Sequence, residues 1–217
     1  AVGNAYTLST FPERWHPKIR MLSYSVDRSL YERPHGVIRG RDLCYVATYC
    51  GLRKGFPDVA ATWAGIGSDE ARLHVVGHLD PPFDTMLARA NTGSVTAHGW
   101  VESNSDAYVR LLHSCRFAYI PTYSEGQMGT LLEAIHAGCV PITTAASGLD
   151  DAVLAHCVVV EPLDHDGQRA AIRAALAWSD QEYETRRAAI TEAARRHQTW
   201  ERFEAGVRAG LAEVAPP

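Results

Sequence analysis

Short apolar segments rich in β-branched residues alternate with segments of helical periodicity along most of this chain, and that alternation most constrains its fold. The pattern predicts strands at 5–8, 19–22, 43–49, 73–76, 95–98, 117–121, 140–143 and 157–160. Between them it predicts helices at 57–66, 84–90, 105–115, 128–137, 149–155 and 168–178. Several strands are apolar throughout, as strands covered on both faces are. Pro57 suits a first helical turn and Gly138 a helix C-terminus. Strands and helices that alternate in this way form right-handed βαβ units around a parallel sheet. The expected fold class is therefore α/β, a Rossmann-like parallel sheet flanked by helices. From 181 to 214 no strand pattern occurs; two C-terminal helices are expected, interrupted near Gln198 and Thr199. Arg186, Arg187, Arg195 and Arg196 read there as a solvated face.

Composition narrows the class further. The chain has 217 residues, 46% of them hydrophobic and 21% charged, with a net charge of −4. Those values suit a globular core and exclude collagen-like, disordered and coiled-coil classes. The negative balance gives no electrostatic case for nucleic acid. No apolar run approaches the roughly 18 residues that span a bilayer. The five cysteines, Cys44, Cys50, Cys115, Cys139 and Cys157, are odd in number and include no C-x-x-C pair. They read as buried free thiols, which with the lack of a signal-peptide pattern predicts a reducing, cytoplasmic setting.

A parallel α/β sheet binds ligands beyond the C-terminal ends of its strands, where helix N-termini offer free N–H groups to phosphate. The segments in question are Gly51-Leu52-Arg53-Lys54-Gly55, Gly77-His78, Gly99-Trp100-Val101, and Tyr123 to Gly129. The most informative stretch is SEGQMGTLLEAIHAGCVPITT, residues 124–144. Glu125 is expected in the loop and Glu133 one turn into the next helix, flanking a helix start near Met128 and Gly129. Acids beside a phosphate site are tolerable if they bind neutral hydroxyls of a sugar or ribose. Arg53 and Lys54 supply the charge that balances a diphosphate.

This segment resembles the E-x7-E signature of family 4 retaining glycosyltransferases, whose fold is GT-B; Glu125 and Glu133 fill its two acids. The likeness continues in order. Residues 23–31, SYSVDRSLY, resemble the family's asparagine-glycine-valine-aspartate turn. Arg53-Lys54-Gly55 resembles its lysine-glycine turn, and Val75-Val76-Gly77 and Gly99-Trp100-Val101 its nucleoside-facing turns. Thr199-Trp200-Glu201-Arg202-Phe203 resembles the entry to its last helix. The resemblance implies that Glu125 touches the transferred sugar, Glu133 the ribose and Lys54, with Arg53, the diphosphate. It places phosphate on backbone groups of Gly129, Thr130 and Leu131, and the base near Gly77 and Val101. His78, just after a strand, is a candidate donor contact, although a histidine there is more often a surface or core residue. It implies a nucleoside-diphosphate sugar as substrate, no cofactor and no metal dependence.

There are two departures. The family arginine five residues before the lysine is Tyr49 here. The match also covers only the donor-binding half of a GT-B enzyme: residues 1–22 resemble the end of the first half and the crossover, and 23–217 the nucleotide-sugar-binding domain. The chain is therefore expected to be a fragment lacking its N-terminal partner domain, able to bind donor but transferring weakly or not at all. A nucleotide-sugar epimerase and a non-catalytic nucleotide-sugar-binding module are the competing functions. An exposed face is expected where the other half would pack.

Other motifs read more simply. Asp164-His165-Asp166 has metal-binding D-x-D spacing, but helix N-capping accounts for it. Gly65-Ile66-Gly67 fails as a dinucleotide fingerprint, because Glu70 takes the third glycine position and the stretch follows a helix. His136 reads as packing. No G-x-S-x-G elbow or H-E-x-x-H pair is present.

Overall fold

The computed structural model describes residues 2–32, 36–90 and 93–214. In chain order the elements are α1 (Ala5–Ser9), α2 (Arg28–Tyr31), β1 (Leu43–Tyr49), α3 (Phe56–Trp63), β2 (Leu73–His78) and α4 (Phe83–Ala90). They continue with β3 (Val95–Gly99), α5 (Asp106–Ser114), β4 (Phe117–Ile120), α6 (Gly129–His136), β5 (Val140–Thr143) and α7 (Asp151–Leu154). The last are β6 (Val158–Val159), α8 (His165–Leu176), α9 (Asp180–His197) and α10 (Trp200–Val214). A short 3₁₀ helix spans Glu13–Lys18.

The six strands form one sheet in the order β3-β2-β1-β4-β5-β6, and every pairing is parallel. The chain starts in the middle, winds out to β3, then returns to build the other side from β4. The reversal leaves a crevice beyond the C-terminal ends of β1 and β4. Leu43, Tyr45, Leu73, Phe117, Ile120, Val140 and Ile142 are each at most 1% exposed, as central strands covered on both faces require. Trp63 of α3 is fully buried and its indole N–H donates to Ser94 Oγ at 2.9 Å.

Helix starts follow their caps. Ser105, Asp150, Asp164 and Ser179 each accept a hydrogen bond from an N–H in the turn that follows. Asp164 caps α8 through Gly167, and His165 leans on Asp58, so the D-x-D is a helix start. Gly138 follows α6 with φ +98°, a conformation that ends a helix. The tail is two helices, as expected, with the break at Gln198 and Thr199. Of the four arginines read as a solvated face, Arg186, Arg187 and Arg196 make surface pairs with Glu182, Glu184 and Glu192, while Arg195 reaches across to Glu32.

Two predicted strands are absent. Residues 5–8 lie in α1, because Asn4 is buried and its Oδ1 accepts from the Thr7 N–H at 2.8 Å; that cap nucleates a helical turn. Residues 19–22 make a single bridge, Met21 to Val2, apart from the sheet. β6 is a two-residue edge strand, shorter than the predicted 157–160. The N-terminal segment packs on the crevice rim: Asn4 Nδ2 donates to Ala145 O at 3.3 Å and Thr7 Oγ1 to Glu125 O at 3.4 Å. Tyr6, Phe11 and Trp15 on this segment are exposed. Cys44, Cys50, Cys115 and Cys139 are buried free thiols, and Cys157 is a partly buried one. No described helix is long and apolar enough to cross a membrane.

Candidate functional site

Two loops meet in the crevice. The turn after β1 carries Arg53, Lys54 and Gly55; the loop after β4 carries Tyr123, Ser124 and Glu125. They are tied through the Arg53 carbonyl, which accepts from Thr122 Oγ1 at 2.8 Å and from the Tyr123 N–H at 2.9 Å. Gly55 makes this approach possible. It holds φ +69°, and a Cβ there would lie 1.8 Å from the Pro121 carbonyl oxygen.

Glu125 is 8% exposed, and its Oε1 lies 2.7 Å from Arg53 Nη1 and 2.8 Å from Lys54 Nζ. Lys54 is largely covered and Arg53 mostly exposed. The sequence-predicted acid and both cations are thus brought together. Their neighbour is the N-terminus of α6, whose N-cap, Met128, supplies no side-chain hydrogen bond. Gly129 and Thr130 begin that helix. Leu131 departs from the expectation: its N–H bonds to the Met128 carbonyl at 3.2 Å and its side chain is fully buried, so it serves the helix turn and the core.

Glu133 stands one turn along α6. The Tyr108 hydroxyl donates to its Oε2 at 2.5 Å, and Tyr31 approaches it as well. Burial raises its pKa above the ordinary carboxylate value, against the opposing pull of both tyrosines and the Lys54 charge. Neither tyrosine was singled out from the sequence: Tyr108 reads as an apolar position of the predicted 105–115 helix, and Tyr31 only as the last residue of the 23–31 turn. Asp58 was missed too. It is fully buried in the first turn of α3, where an acid reads as an ordinary dipole partner. Its carboxylate accepts from Tyr123 Oη at 2.6 Å, the Leu163 N–H at 2.8 Å and Gln168 Nε2 at 2.9 Å. It thereby anchors the Glu125 loop to α3 and α8.

The ends of β1, β2 and β3 carry another feature. Tyr49 stacks on His78 (centroids 5.0 Å, 28°), and His78 on Trp100 (6.0 Å, 11°). All three rings are exposed. His78 is thus held in an aromatic ladder at the rim. Gly77, just before it, has φ +140°, and a Cβ there would meet Ala47 O at 2.0 Å. The glycine is demanded by the contact of β2 with β1, whatever ligand lies nearby. Val101 follows Trp100 and is partly buried beside Thr130 and Tyr108. His136 is buried at the far end of α6 and pairs with Glu32 at 3.0 Å. Burial lowers its pKa, which suits the packing role expected for it.

Comparisons with known proteins agree with this architecture. Sucrose-phosphate synthase from Thermosynechococcus elongatus superposes with a TM-score of 0.75 at 20% identity, covering 97% of this chain and 56% of that one. A UDP-forming α,α-trehalose-phosphate synthase from Burkholderia xenovorans gives 0.72 at 14%, covering 91% and 52%. The N-terminal domain of trehalose-6-phosphate phosphatase from Candida albicans gives 0.75 at 15%, covering 90% and 50%. The chain thus spans about half the length of these structures, as one Rossmann-like half of a GT-B protein does. No curated protein sequence matches it. The sequence profile of the glycosyl transferases group 1 family matches residues 40–177, which hold all six strands, both loops and α6. The chain belongs to the glycosyl transferases group 1 family.

Proposed function

We propose that this chain is the donor-binding half of a retaining glycosyltransferase, which takes a sugar from a nucleoside-diphosphate sugar. One observation carries the reading. Arg53, Lys54 and Glu125 converge within 2.8 Å beside the uncapped start of α6, in the crevice where the strand order reverses. A diphosphate suits the two cations and the N–H groups of Gly129 and Thr130. Glu133, fixed by Tyr108, accepts ribose hydroxyls; Glu125 accepts those of the sugar. As the anomeric bond to the diphosphate breaks, negative charge grows on the leaving oxygen. Lys54, Arg53 and the α6 N-terminus are aimed at that charge before it forms, which is where fixed donors lower a barrier most. In the free protein Glu125 pairs with both cations and offsets one of their two charges; a bound diphosphate takes that role and releases the carboxylate toward the sugar. These groups need no metal, and we expect donor binding to persist in chelator. The acceptor site belongs to a second half.

Tyr49 favours a second reading, a non-catalytic binding module. Its ring stacks on His78 where the resemblance called for a phosphate-binding arginine, so one cation is fewer. Thermal unfolding with a panel of nucleoside diphosphates at about a hundred times their dissociation constants tests the site. One diphosphate is expected to stabilise by roughly 2.7 kcal/mol. For a domain of this size that is a shift of about 5 to 10 °C. Loss of the shift in Glu133→Ala ties it to the crevice; no shift with any base removes the reading.

A further inference from the structure

A pocket of about 440 Å³ lies away from the crevice, between the start of α2, the last turn of α6 and the junction of α9 with α10. None of Arg53, Lys54, Glu125 or Glu133 lines it. His136, which does, stands about 10 Å along α6 from the helix start that faces the crevice.

Gln198 is its central feature. The residue is 1% exposed and lines the pocket, and its buried Oε1 and Nε2 both lack a hydrogen-bond partner among the described residues. Its backbone is held on both sides: its N–H donates to Ala194 O at 2.9 Å, and its carbonyl accepts from Ser25 Oγ at 2.8 Å. The chain therefore fixes a buried carboxamide while leaving one donor and one acceptor unused. Such a group costs stability unless something bonds it.

The charges around it decide what that partner is. Arg195 and His136 both rest on Glu32, at 2.9 and 3.0 Å, so they add little net charge. Glu201 sits at the start of α10, bonded by its own N–H and by Thr199, and those bonds hold its pKa low. The helix N-terminus is thus already served by an acid. Asp27, Glu201 and Arg28 line the pocket together; Asp27 also caps α2 through Ser29, and the Arg28 charge helps to hold the Glu201 pKa low. An anion would meet two carboxylates here and a cation would meet Arg28. A neutral molecule with many hydroxyls, each both donor and acceptor, matches the carboxamide, the acids and the guanidinium together. Trp200 adds a half-exposed indole, oriented by edge-to-face contacts with Tyr24 (5.6 Å) and Phe203 (5.7 Å), for the C–H face of a sugar ring.

We propose that this pocket is a second ligand site that binds a neutral saccharide through Gln198, Arg28, Asp27 and Trp200. The site is separate from the donor crevice and does not depend on the reading given for it.

Saturation-transfer NMR on the full chain tests this, with D-glucose, maltose and inorganic phosphate as probes at millimolar concentration. At least one saccharide is expected to bind, with or without nucleoside diphosphate present. Gln198→Leu keeps the side-chain size and removes both polar atoms; it is expected to weaken saccharide binding by about tenfold or more. Its melting temperature stays at or above that of the parent, because an unpaired buried amide has been removed. Arg28→Gln, on an exposed side chain, is expected to weaken the same signal without a change in folding. Neither substitution alters the nucleotide response. The proposal is overturned if no saccharide binds the parent chain, if binding survives in both variants, or if phosphate competes for the pocket more strongly than the saccharides.

Discussion

Glu133 holds two opposed demands in one side chain. Burial makes its charge costly, while Tyr108, Tyr31 and Lys54 favour that charge. The net effect is a raised pKa, so the folded chain takes up a proton more readily than the unfolded one. Below the unfolded value of 4.5 both states are protonated and no penalty exists. As pH rises through the folded value, ionisation opposes folding. Glu133→Gln is therefore expected to raise the melting temperature at neutral pH, and the gain is expected to vanish in melts below 4.5. The same variant is expected to weaken nucleotide binding by roughly tenfold, since an acceptor becomes a mixed donor and acceptor. Lys54→Ala removes a charge-assisted contact worth about 1.5 to 3 kcal/mol, so calorimetry is expected to read a loss of diphosphate affinity of roughly 10- to 100-fold. Tyr49→Arg breaks the stack on His78 and adds a cation. Tighter binding of a nucleoside diphosphate, by roughly tenfold relative to the uncharged nucleoside, is the expected outcome; equal gains for both would show that the new side chain does not reach the phosphates.

Elements set how those residues meet. The β1 turn and the β4 loop are held together by the Arg53 carbonyl and by the room at Gly55. Gly55→Ala forces a side chain into the Pro121 carbonyl from a left-handed backbone. It is expected to cost about 3 kcal/mol in urea unfolding and to abolish the nucleotide response. The central strands were legible in sequence because strands buried on both faces are continuous apolar runs; 43–49 and 140–143 matched to the residue. The failures also have a cause. Residues 5–8 carry as much strand propensity as some true strands, but a buried Asn4 cap outweighs it. Residues 19–22 lack a neighbouring strand in the sheet, and propensity alone does not make one. Asp58 escaped notice because its role depends on Tyr123, Leu163 and Gln168, which are distant along the chain.

For the whole molecule, the order β3-β2-β1-β4-β5-β6 creates the crevice and assigns all the candidate residues to one end of the sheet. The neighbours it resembles are about twice its length. We therefore expect this chain to bind a nucleoside diphosphate by itself and to transfer no sugar in a donor-consumption assay until a second half supplies the acceptor side. Steady release of free sugar or isomerised donor by the chain alone would favour a different enzyme on the same scaffold.

Local pattern was enough to determine the α/β class, to locate the six strands of the sheet (though not to reject 5–8 and 19–22), to read the D-x-D as a helix cap and Gly138 as a helix end, and to set the spacing that puts Glu125 in a loop and Glu133 one turn into α6. These depend on a residue and its near neighbours, and near neighbours are what a sequence displays. Only the tertiary structure decided that Arg53 and Lys54 both close on Glu125, that Tyr108 from α5 restrains Glu133, that Tyr49, His78 and Trp100 stack across three strands, and that Gln198 lines a pocket with its side-chain amide unbonded among the described residues. Each of those contacts joins segments far apart in the chain, and its energy depends on distance and burial, which exist only once the sheet has brought the segments together.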